Sequence, residues 1–448
     1  MQIFWVSLGC AKNLVSSEEM LYAARQAGHV FVDEPERADV AVVNTCGFIE
    51  AAKQEGIENI LELAAFKPAL KILVAGCMAE RYREEIFAEM PEVDGLLGCG
   101  SFHELIPALE ALERGEKPCL FGPLDAPLRE TPRLRATPPY TAYLRIAEGC
   151  DNRCAYCVIP TLRGPYRSRS FEGLVREAEQ LAAEGVRELI IIAQDITRYG
   201  LDLYDRRRLA ELLRALCRVE GLAWIRLHYL YPDEINDELM SVIAQEDKIV
   251  KYLDIPIQHC NDRLLREMNR RGEKRDLAVL FAGLRARVPG LVLRTSLIVG
   301  FPGETEEDFT ELCAFVEEQG FARAGVFAYS QEEGTPAAAR EDQVDEAVRE
   351  ARREILGRIT AGCMDVWQNG RAGQILETLV EGYDPYTAGD EEDGAPLSGL
   401  YFGRSYADSP EVDGKVFFSS GAPIRPGDFV RVRISHAEDG DLFGEAVI

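Results

Sequence analysis

Apolar and polar positions along the chain change period three times. In residues 1–120, short apolar runs without polar interruption ("IFWVSL", "DVAVVN", "KILVAG") alternate with stretches of helical spacing. Unbroken apolar runs of this length predict strands buried on both faces, as in a parallel sheet. The segments 14–27, 48–65 and 80–90 predict the intervening helices, and the alternation predicts an open parallel α/β sheet. Residues 121–139 hold five prolines and few apolar anchors, which predicts a linker.

From residue 140 to 362 six more strand-like runs appear: "TAYLRIA", "ELIIIAQD", "WIRLHYLYP", "YLDIPIQH", "LVLRTSLIVG" and "AGVFAYS". Helical patterns separate them, such as 171–184 with Leu174, Val175, Ala178 and Leu181 on one face. Six βα units in a row predict a partial (βα)6 barrel, short of the closed eight-fold form. Residues 369–448 change again. Five short runs ("QILETLVEGY", "LYFGRS", "KVFFSS", "FVRVRISHA", "LFGEAVI") lie between Gly, Pro and Asp turns, with Gly440 in a hairpin-like turn. This pattern predicts a small five-stranded β-barrel.

Length and composition fit that division: 448 residues, 47% hydrophobic and 28% charged, describe a globular chain of about three domains. No apolar run reaches the ~18 residues of a membrane span, and the N-terminus lacks the pattern of a secretory signal. A cytoplasmic location is expected. Twelve cysteines in such a chain point to metal or redox work rather than disulfides. The net charge of −26 repels polyphosphate and attracts basic partners, although acidity also simply keeps surfaces soluble.

The cysteines carry the chemistry. Cys150, Cys154 and Cys157 form C-x₃-C-x₂-C just beyond the first run of the second part. Three thiolates on one short loop grip three irons of a four-iron cluster and leave the fourth iron open. Zinc is the competing reading, but it takes four ligands, and no fourth Cys or His stands at matching spacing. A second set is scattered over 68 residues: Cys10 after "WVSLG", Cys46 after "AVVNT" and Cys77 after "ILVAG". Each lies at the end of a predicted parallel strand, and parallel strands bring those ends to one sheet edge. Their convergence gives a second cluster with an open iron. The alternative is three buried structural cysteines. Cys99, in "GLLGCG", is a weaker fourth candidate. Cys119, Cys217, Cys260, Cys313 and Cys363 show no such pattern and are read as packing or surface residues.

The pieces "SLGCAKNLVSSE", "NTCGFI", "AGCMAER" and "GCDNRCAYCVIPTLRG" resemble the methylthiotransferase branch of radical S-adenosylmethionine enzymes, and the C-terminal barrel resembles its TRAM domain. The likeness spans essentially the whole chain. "LHYLYPDEI", "YLDIPIQH" and "GLYFGRSYADSPEVDG" are similar to the ribosomal-protein (RimO-type) group, whose members act on an aspartate of protein number twelve of the small ribosomal subunit. The other group acts on adenosine of tRNA and shares every cluster cysteine. An iron–sulfur carrier or redox-sensing RNA-binding protein without catalysis is a third reading; it leaves the six-unit barrel unexplained.

The resemblance implies two 4Fe-4S clusters and S-adenosylmethionine as cofactors. A sulfur on the auxiliary cluster at Cys10, Cys46 and Cys77 is methylated. A second S-adenosylmethionine at the Cys150, Cys154 and Cys157 cluster yields a 5′-deoxyadenosyl radical that takes hydrogen from the aspartate β-carbon. Sulfur and electron donors are implied but not identified. Tyr156, preceding the last cysteine, is the aromatic usual in the family. Gln194 and Asp195 stand where the family contacts the methionine ammonium, in place of Gly-Gly-Glu. Gln258 is a candidate ribose contact, and Gly300 in "LIVGFPGET" a point of close backbone approach. For each, a loop hydrogen bond is the plain alternative. Arg163, Arg167 and Arg169 are candidates for charge compensation beside the cluster. His228 and His259, at strand ends, are not expected to be ligands.

From Asn369 onward there are six Arg and Lys against fifteen Asp and Glu. That balance favours a basic protein partner and argues against nucleic acid as the direct substrate. Asp408, Glu411 and Asp413 in "SYADSPEVDG" are the expected contacts.

Overall fold

The computed structural model of the chain describes residues 1–385 and 399–447. The first part is a six-stranded, all-parallel sheet: β1 (Gln2–Ser7), β2 (Val30–Val32), β3 (Val40–Thr45), β4 (Lys71–Gly76), β5 (Gly95–Leu97) and β6 (Cys119–Leu120), in the order β2-β1-β3-β4-β5-β6. β3 explains why "DVAVVN" has no polar period. Ala41 and Val43 pack one face against Ile60 and Leu63 of the helix Glu50–Ala64. Val40 and Val42 pack the other against Met20, Ala24, Leu105 and Leu109. Both faces are covered, so alternation disappears. The expected helix at 80–90 is two pieces, Cys77–Tyr82 and Glu85–Glu89, broken where Arg83 takes φ +45°.

The second part confirms the six expected strands: β7 (Thr141–Arg145), β10 (Glu188–Ile192), β11 (Trp224–Leu227), β12 (Ile249–Asp254), β13 (Val292–Val299) and β14 (Arg323–Ala328). They are parallel and pair strictly in sequence order, with β7 and β14 left as open edges. A small hairpin of β8 (Ala147–Glu148) and β9 (Arg167–Ser168) flanks β7. Helices cover the outer face, where Leu144, Leu189, Ile191, Ile225 and Leu227 meet Leu174, Leu181, Leu212 and Leu216. The helix Glu346–Asn369 leads directly into the third part. There β15 (Ile375–Asp384), β16 (Leu400–Ser405), β17 (Val416–Ser419), β18 (Phe429–Glu438) and β19 (Asp441–Ala446) close into a barrel. Asp439 and Gly440 make the β18–β19 turn with positive φ at both residues. Among the described residues no helix is long and apolar enough to cross a membrane.

An open partial barrel leaves its inner face to be covered, and both neighbours contribute. From the first part, Ala11, Leu14 and Val15 of the helix Ala11–Gln26 pack on Tyr143, Ile190 and Ile192. From the third part, residues 404–413 push in at the amino ends of the strands. Arg404 pairs with Glu188 at 2.6 Å, Asp408 with Arg323 at 2.6 Å, and Asp413 accepts from the Tyr252 hydroxyl at 2.7 Å. This corrects the reading of "SYADSPEVDG" as a solvated docking loop. Asp408 is 1% exposed and Asp413 is spent on Tyr252 and Arg323; only Glu411 of the three is exposed. Four of the acidic residues counted in the third part, Asp390, Glu391, Glu392 and Asp393, lie outside the described residues.

The proline-rich stretch is also more than a spacer. It has no regular element, but Arg133 grips Glu18 at 2.5 Å and Glu177 at 2.9 Å, tying the first part to the second.

Candidate cluster sites at two sheet edges

β1, β3, β4 and β5 are neighbours in one parallel sheet, so their carboxyl ends form one edge. Cys10, Cys46, Cys77 and Cys99 each follow one of these four strands. The loops bearing them touch. A side chain on Gly9 (φ +88°) would stand 2.8 Å from the Cys46 Cβ, and one on Gly47 2.8 Å from the Cys77 carbonyl. Asn13 stitches the edge: its amide nitrogen donates to the Leu8 carbonyl at 3.1 Å and the Thr45 carbonyl at 2.9 Å. Asn44 returns a bond to the Asn13 carbonyl at 2.9 Å.

All twelve cysteines are free. Burial, with Cys77 and Cys10 nearby, pushes the Cys46 thiol up to about 12. The hydrogen bond from Cys99 and the Arg163 guanidinium draw Cys77 the other way, to about 6. Burial and Cys77 push Cys99 up. Cys99 therefore belongs to the edge, as a partner of Cys77. Among the described residues no three Cys, His, Asp or Glu groups converge closely enough to hold a single ion; a cubane, with four metal corners, spreads its thiolates wider than one ion does.

The second set sits at the carboxyl end of the partial barrel, on the loop leaving β7 and β8. Burial pushes Cys150 up to about 11 and raises Cys157 as well, with Cys154 contributing to both. Thiols shifted this way stay protonated unless a cation compensates them, which a metal cluster does. The donor set fits an iron–sulfur cluster at both edges. Asn152 donates to Asp195 at 2.9 Å, and Asp195 also caps the turn Ile196–Arg198 through Thr197. Burial raises the Asp195 carboxyl. Asp195 thus anchors the loop.

Gln194 donates to Glu148 at 2.7 Å, while its carbonyl oxygen is buried without a partner among the described residues. An acceptor in that state suits an ammonium such as that of S-adenosylmethionine. Tyr156 accepts from Arg270 at 3.4 Å and packs beside Phe301 and Tyr329. Gln258 takes φ +68°, its backbone stitched to Ser296 and Ile298 of β13. Gly300 (φ +72°) makes a close approach, but to the protein: a Cβ there would fall 2.2 Å from the Arg349 stem.

The two sets share a seam. Val158, beside Cys157, packs on Cys77 together with Leu162, Phe48 and Cys99. Arg163, 3% exposed, reaches across it from the helix Ile159–Arg163. Its Nε and Nη2 lie 3.3 and 3.2 Å from the Cys77 Sγ, and it also binds the Asn13 side chain. Behind it, Nη1 meets Glu148 at 3.4 Å. Although burial opposes it, Arg163 and Arg145 hold the Glu148 carboxyl down. A hydrogen-bonded line therefore runs Cys77–Arg163–Glu148–Gln194, from one edge to the other.

Of the three candidate arginines, only Arg163 reaches the cysteines. Arg169 is spent on Glu130 and Glu177, and Arg167 on the carbonyls of Ala126, Pro165 and Arg163. Burial drives His228 and His259 down to about 3 and about 4, and His228 faces Ser409. Residues that sequence reasoning missed are Lys12, Asn13, Glu148, Tyr229, Tyr231 and Arg270. Arg270 is buried under Tyr156 and stacks on Tyr231, whose hydroxyl lies 3.8 Å from the Cys154 Sγ. Only Lys12 and Asn13, directly after Cys10 in "GCAKN", had a positional signal.

Residues 2–98 match the model of Uncharacterized protein family UPF0004, residues 144–316 that of the Radical SAM superfamily and residues 372–447 that of the TRAM domain. The ribosomal protein uS12 methylthiotransferase RimO of Pelotomaculum thermopropionicum is 51% identical over 448 residues, covering 99% of this chain and 98% of that one. Its namesake from Acetivibrio thermocellus is 45% identical over 452 residues, with 99% and 97% covered. Among solved structures, the radical S-adenosylmethionine methyltransferase TsrM from Kitasatospora setae, with cobalamin and a 4Fe-4S cluster bound, aligns with a TM-score of 0.57 at 16% identity, over 75% of this chain and 76% of that one. Its complex with tryptophan substrate and an S-adenosylmethionine analogue (aza-SAM) gives 0.59 at 13% identity, over 82% and 90%. At such identities the likeness is one of fold.

Proposed function

This chain belongs to the RimO family of ribosomal protein uS12 methylthiotransferases, within the radical S-adenosylmethionine enzymes, and from that premise we propose how its own residues serve the reaction. The enzyme adds a methylthio group to the β-carbon of an aspartate in uS12. Cys150, Cys154 and Cys157 hold one 4Fe-4S cluster; Cys10, Cys46 and Cys77 hold a second. When bound, the first would supply reducing power for cleavage of S-adenosylmethionine and the second a site for the transferred sulfur.

The protein's part is binding, orientation and exclusion of water. Gln194 accepts from the methionine ammonium, with Glu148 fixing the amide so that its oxygen faces the ligand. Tyr156 and Gln258 flank the rest of the cofactor. Arg163 donates to the Cys77 sulfur and keeps the two edges in register. The helix Ala11–Gln26 covers the inner barrel face, while residues 404–413 close its amino end. No general base is needed to take a hydrogen atom from carbon. Sulfur and electrons come from separate donors, and the work is done in the cytoplasm, where ribosomes are.

The observation that carries this reading is the seam: two cysteine sets, each at the carboxyl edge of its own parallel sheet, joined through Arg163. Mass spectrometry of uS12 and of tRNA from cells lacking this gene is the test. Loss of the mass increment on uS12, restored by the wild-type gene but not by Cys46→Ala or Cys150→Ala, is expected. Loss of a tRNA modification with uS12 unchanged would overturn it.

A further inference from the structure

Lys12 is a buried cation for which the reaction outlined above finds no use. It lies on the first turn of the helix Ala11–Gln26 and is 8% exposed. Among the described residues no Asp or Glu oxygen lies within ion-pair distance of its Nζ, unlike the buried Arg145, Arg226, Arg323 and Arg404, each of which has a carboxylate. Instead Nζ stands 3.4 Å from the centroid of the Tyr229 ring. A cation–π contact offsets part of the cost of burying an ammonium, but with no carboxylate in ion-pair contact its donors stay underused.

Tyr229 is itself unusual. It follows β11 at the carboxyl edge of the barrel with φ +64°, in the left-handed region that non-glycine residues adopt at a cost. Its nitrogen is fixed by Asp254 at 3.2 Å and its carbonyl by the Ile196 amide at 3.1 Å. The strained backbone holds the ring under Lys12. Tyr229 packs at the inner barrel face with Tyr143, Ile190 and Ile192, and Lys12 stands on its ring, two residues after Cys10.

We propose that Lys12, seated on Tyr229, is the receptor for a carboxylate, and that this carboxylate is the side chain of the target aspartate. The inference rests on the ribosomal-protein reading. An ammonium presents three donors, suited to a carboxylate whatever its approach. The β-carbon of aspartate is one bond from its carboxylate, so gripping that group fixes the reacting carbon at the seam. Lys12 is thereby a specificity-determining residue. Adenosine carries no carboxylate and leaves this charge unpaired, a penalty of the kind by which polar sites reject near-isosteres. The methionine end of S-adenosylmethionine also bears a carboxylate, so the experiment must separate the two sources.

The test uses the anaerobically reconstituted full chain and two peptides spanning the target aspartate of uS12, one native and one with Asn in its place. Wild-type protein should bind the native peptide roughly tenfold to a hundredfold more tightly, the range of a charged hydrogen bond. In Lys12→Gln that preference should fall to about one, while Lys12→Arg should restore part of it. Tyr229→Leu, which keeps the charge and removes its platform, should reduce the preference about threefold, and it decides the matter if Lys12→Gln fails to fold or load iron. A preference left intact in Lys12→Gln and Tyr229→Leu overturns the proposal. Equal weakening of both peptides does so too. A loss of S-adenosylmethionine affinity with the peptide preference unchanged assigns the lysine to the methionine carboxylate and also overturns it. Wild-type protein that binds neither peptide defeats the ribosomal-protein reading first, and this inference with it.

Discussion

The two cysteine sets reach the same end by opposite routes. Cys150, Cys154 and Cys157 lie on one loop, and their mutual placement needs only that loop and its anchors, Asp195, Asn152 and Arg270. Cys10, Cys46 and Cys77 come from three strands, and nothing places them together except the parallel sheet and the contacts of Gly9, Gly47 and Asn13. A locally encoded site survives damage to the surrounding fold; a topologically encoded one is only as good as the sheet beneath it. The difference also divides the chemistry, since the local set is read as the cofactor cleaver and the dispersed set as the sulfur carrier.

The largest expected effect breaks the pair apart functionally. Cys150→Ala should abolish formation of 5′-deoxyadenosine. Cys46→Ala should abolish methylthio transfer while cleavage of S-adenosylmethionine, followed by chromatography, continues. Transfer surviving in Cys46→Ala would remove the distinction between the sets.

A core truncation asks whether the dispersed set truly depends on its sheet. Ile72, 0% exposed near the start of β4, packs in the core on which the strand leading to Cys77 rests, with Val74 and Met78. Ile72→Ala should cost roughly 2–5 kcal/mol, lower the melting temperature, and deplete auxiliary iron while the loop-borne cluster keeps its spectrum. Equal loss at both sites would show that the two are not independent in the way argued.

Arg163 hydrogen-bonds the Cys77 sulfur of the dispersed set from the domain of the local set. Arg163→Gln removes a cation from the Cys77 sulfur and should shift the reduction potential of the auxiliary cluster downward, leaving the other unmoved. Arg163→Lys should shift it less. Redox titration followed by electron paramagnetic resonance reads both.

The smallest effect on chemistry comes from the far end of the barrel. Glu188, fully buried, is held down to about 2: burial opposes this, but Arg404 and Arg226 outweigh it. A carboxyl whose folded value lies below its unfolded one stabilises the fold above about 4.5 and loses that contribution as pH falls toward 2. The melting temperature of metal-free chain should therefore drop across that window, and Glu188→Gln should flatten the drop. Because one partner of a buried ion network is removed, the variant should cost about 3–5 kcal/mol at neutral pH with iron content at both cysteine sets intact.

Legibility in the sequence follows the same local-versus-distant division. The C-x₃-C-x₂-C loop is readable outright, and the dispersed set is readable because each cysteine ends an apolar run and parallel topology does the rest. β2, β5 and β6, two or three residues long, are too short to show a period. Arg163 cannot be told from Arg167 and Arg169 in "RGPYRSRS"; only Cys77, distant in sequence, singles it out. Asp408 and Asp413 have the turn-like surroundings of an exposed loop, yet their partners Arg323 and Tyr252 belong to another domain. Burial created by a distant partner leaves no local trace.

The central claim is that both edges carry a four-iron cluster and that each depends on its own three cysteines. Iron, sulfide and electron paramagnetic resonance measured on reconstituted wild type, Cys46→Ala and Cys150→Ala test it together. About eight irons in the wild type and about four in each variant, with complementary spectra, is the predicted result. Unchanged iron in Cys46→Ala, or zinc in place of iron at either edge, would contradict it.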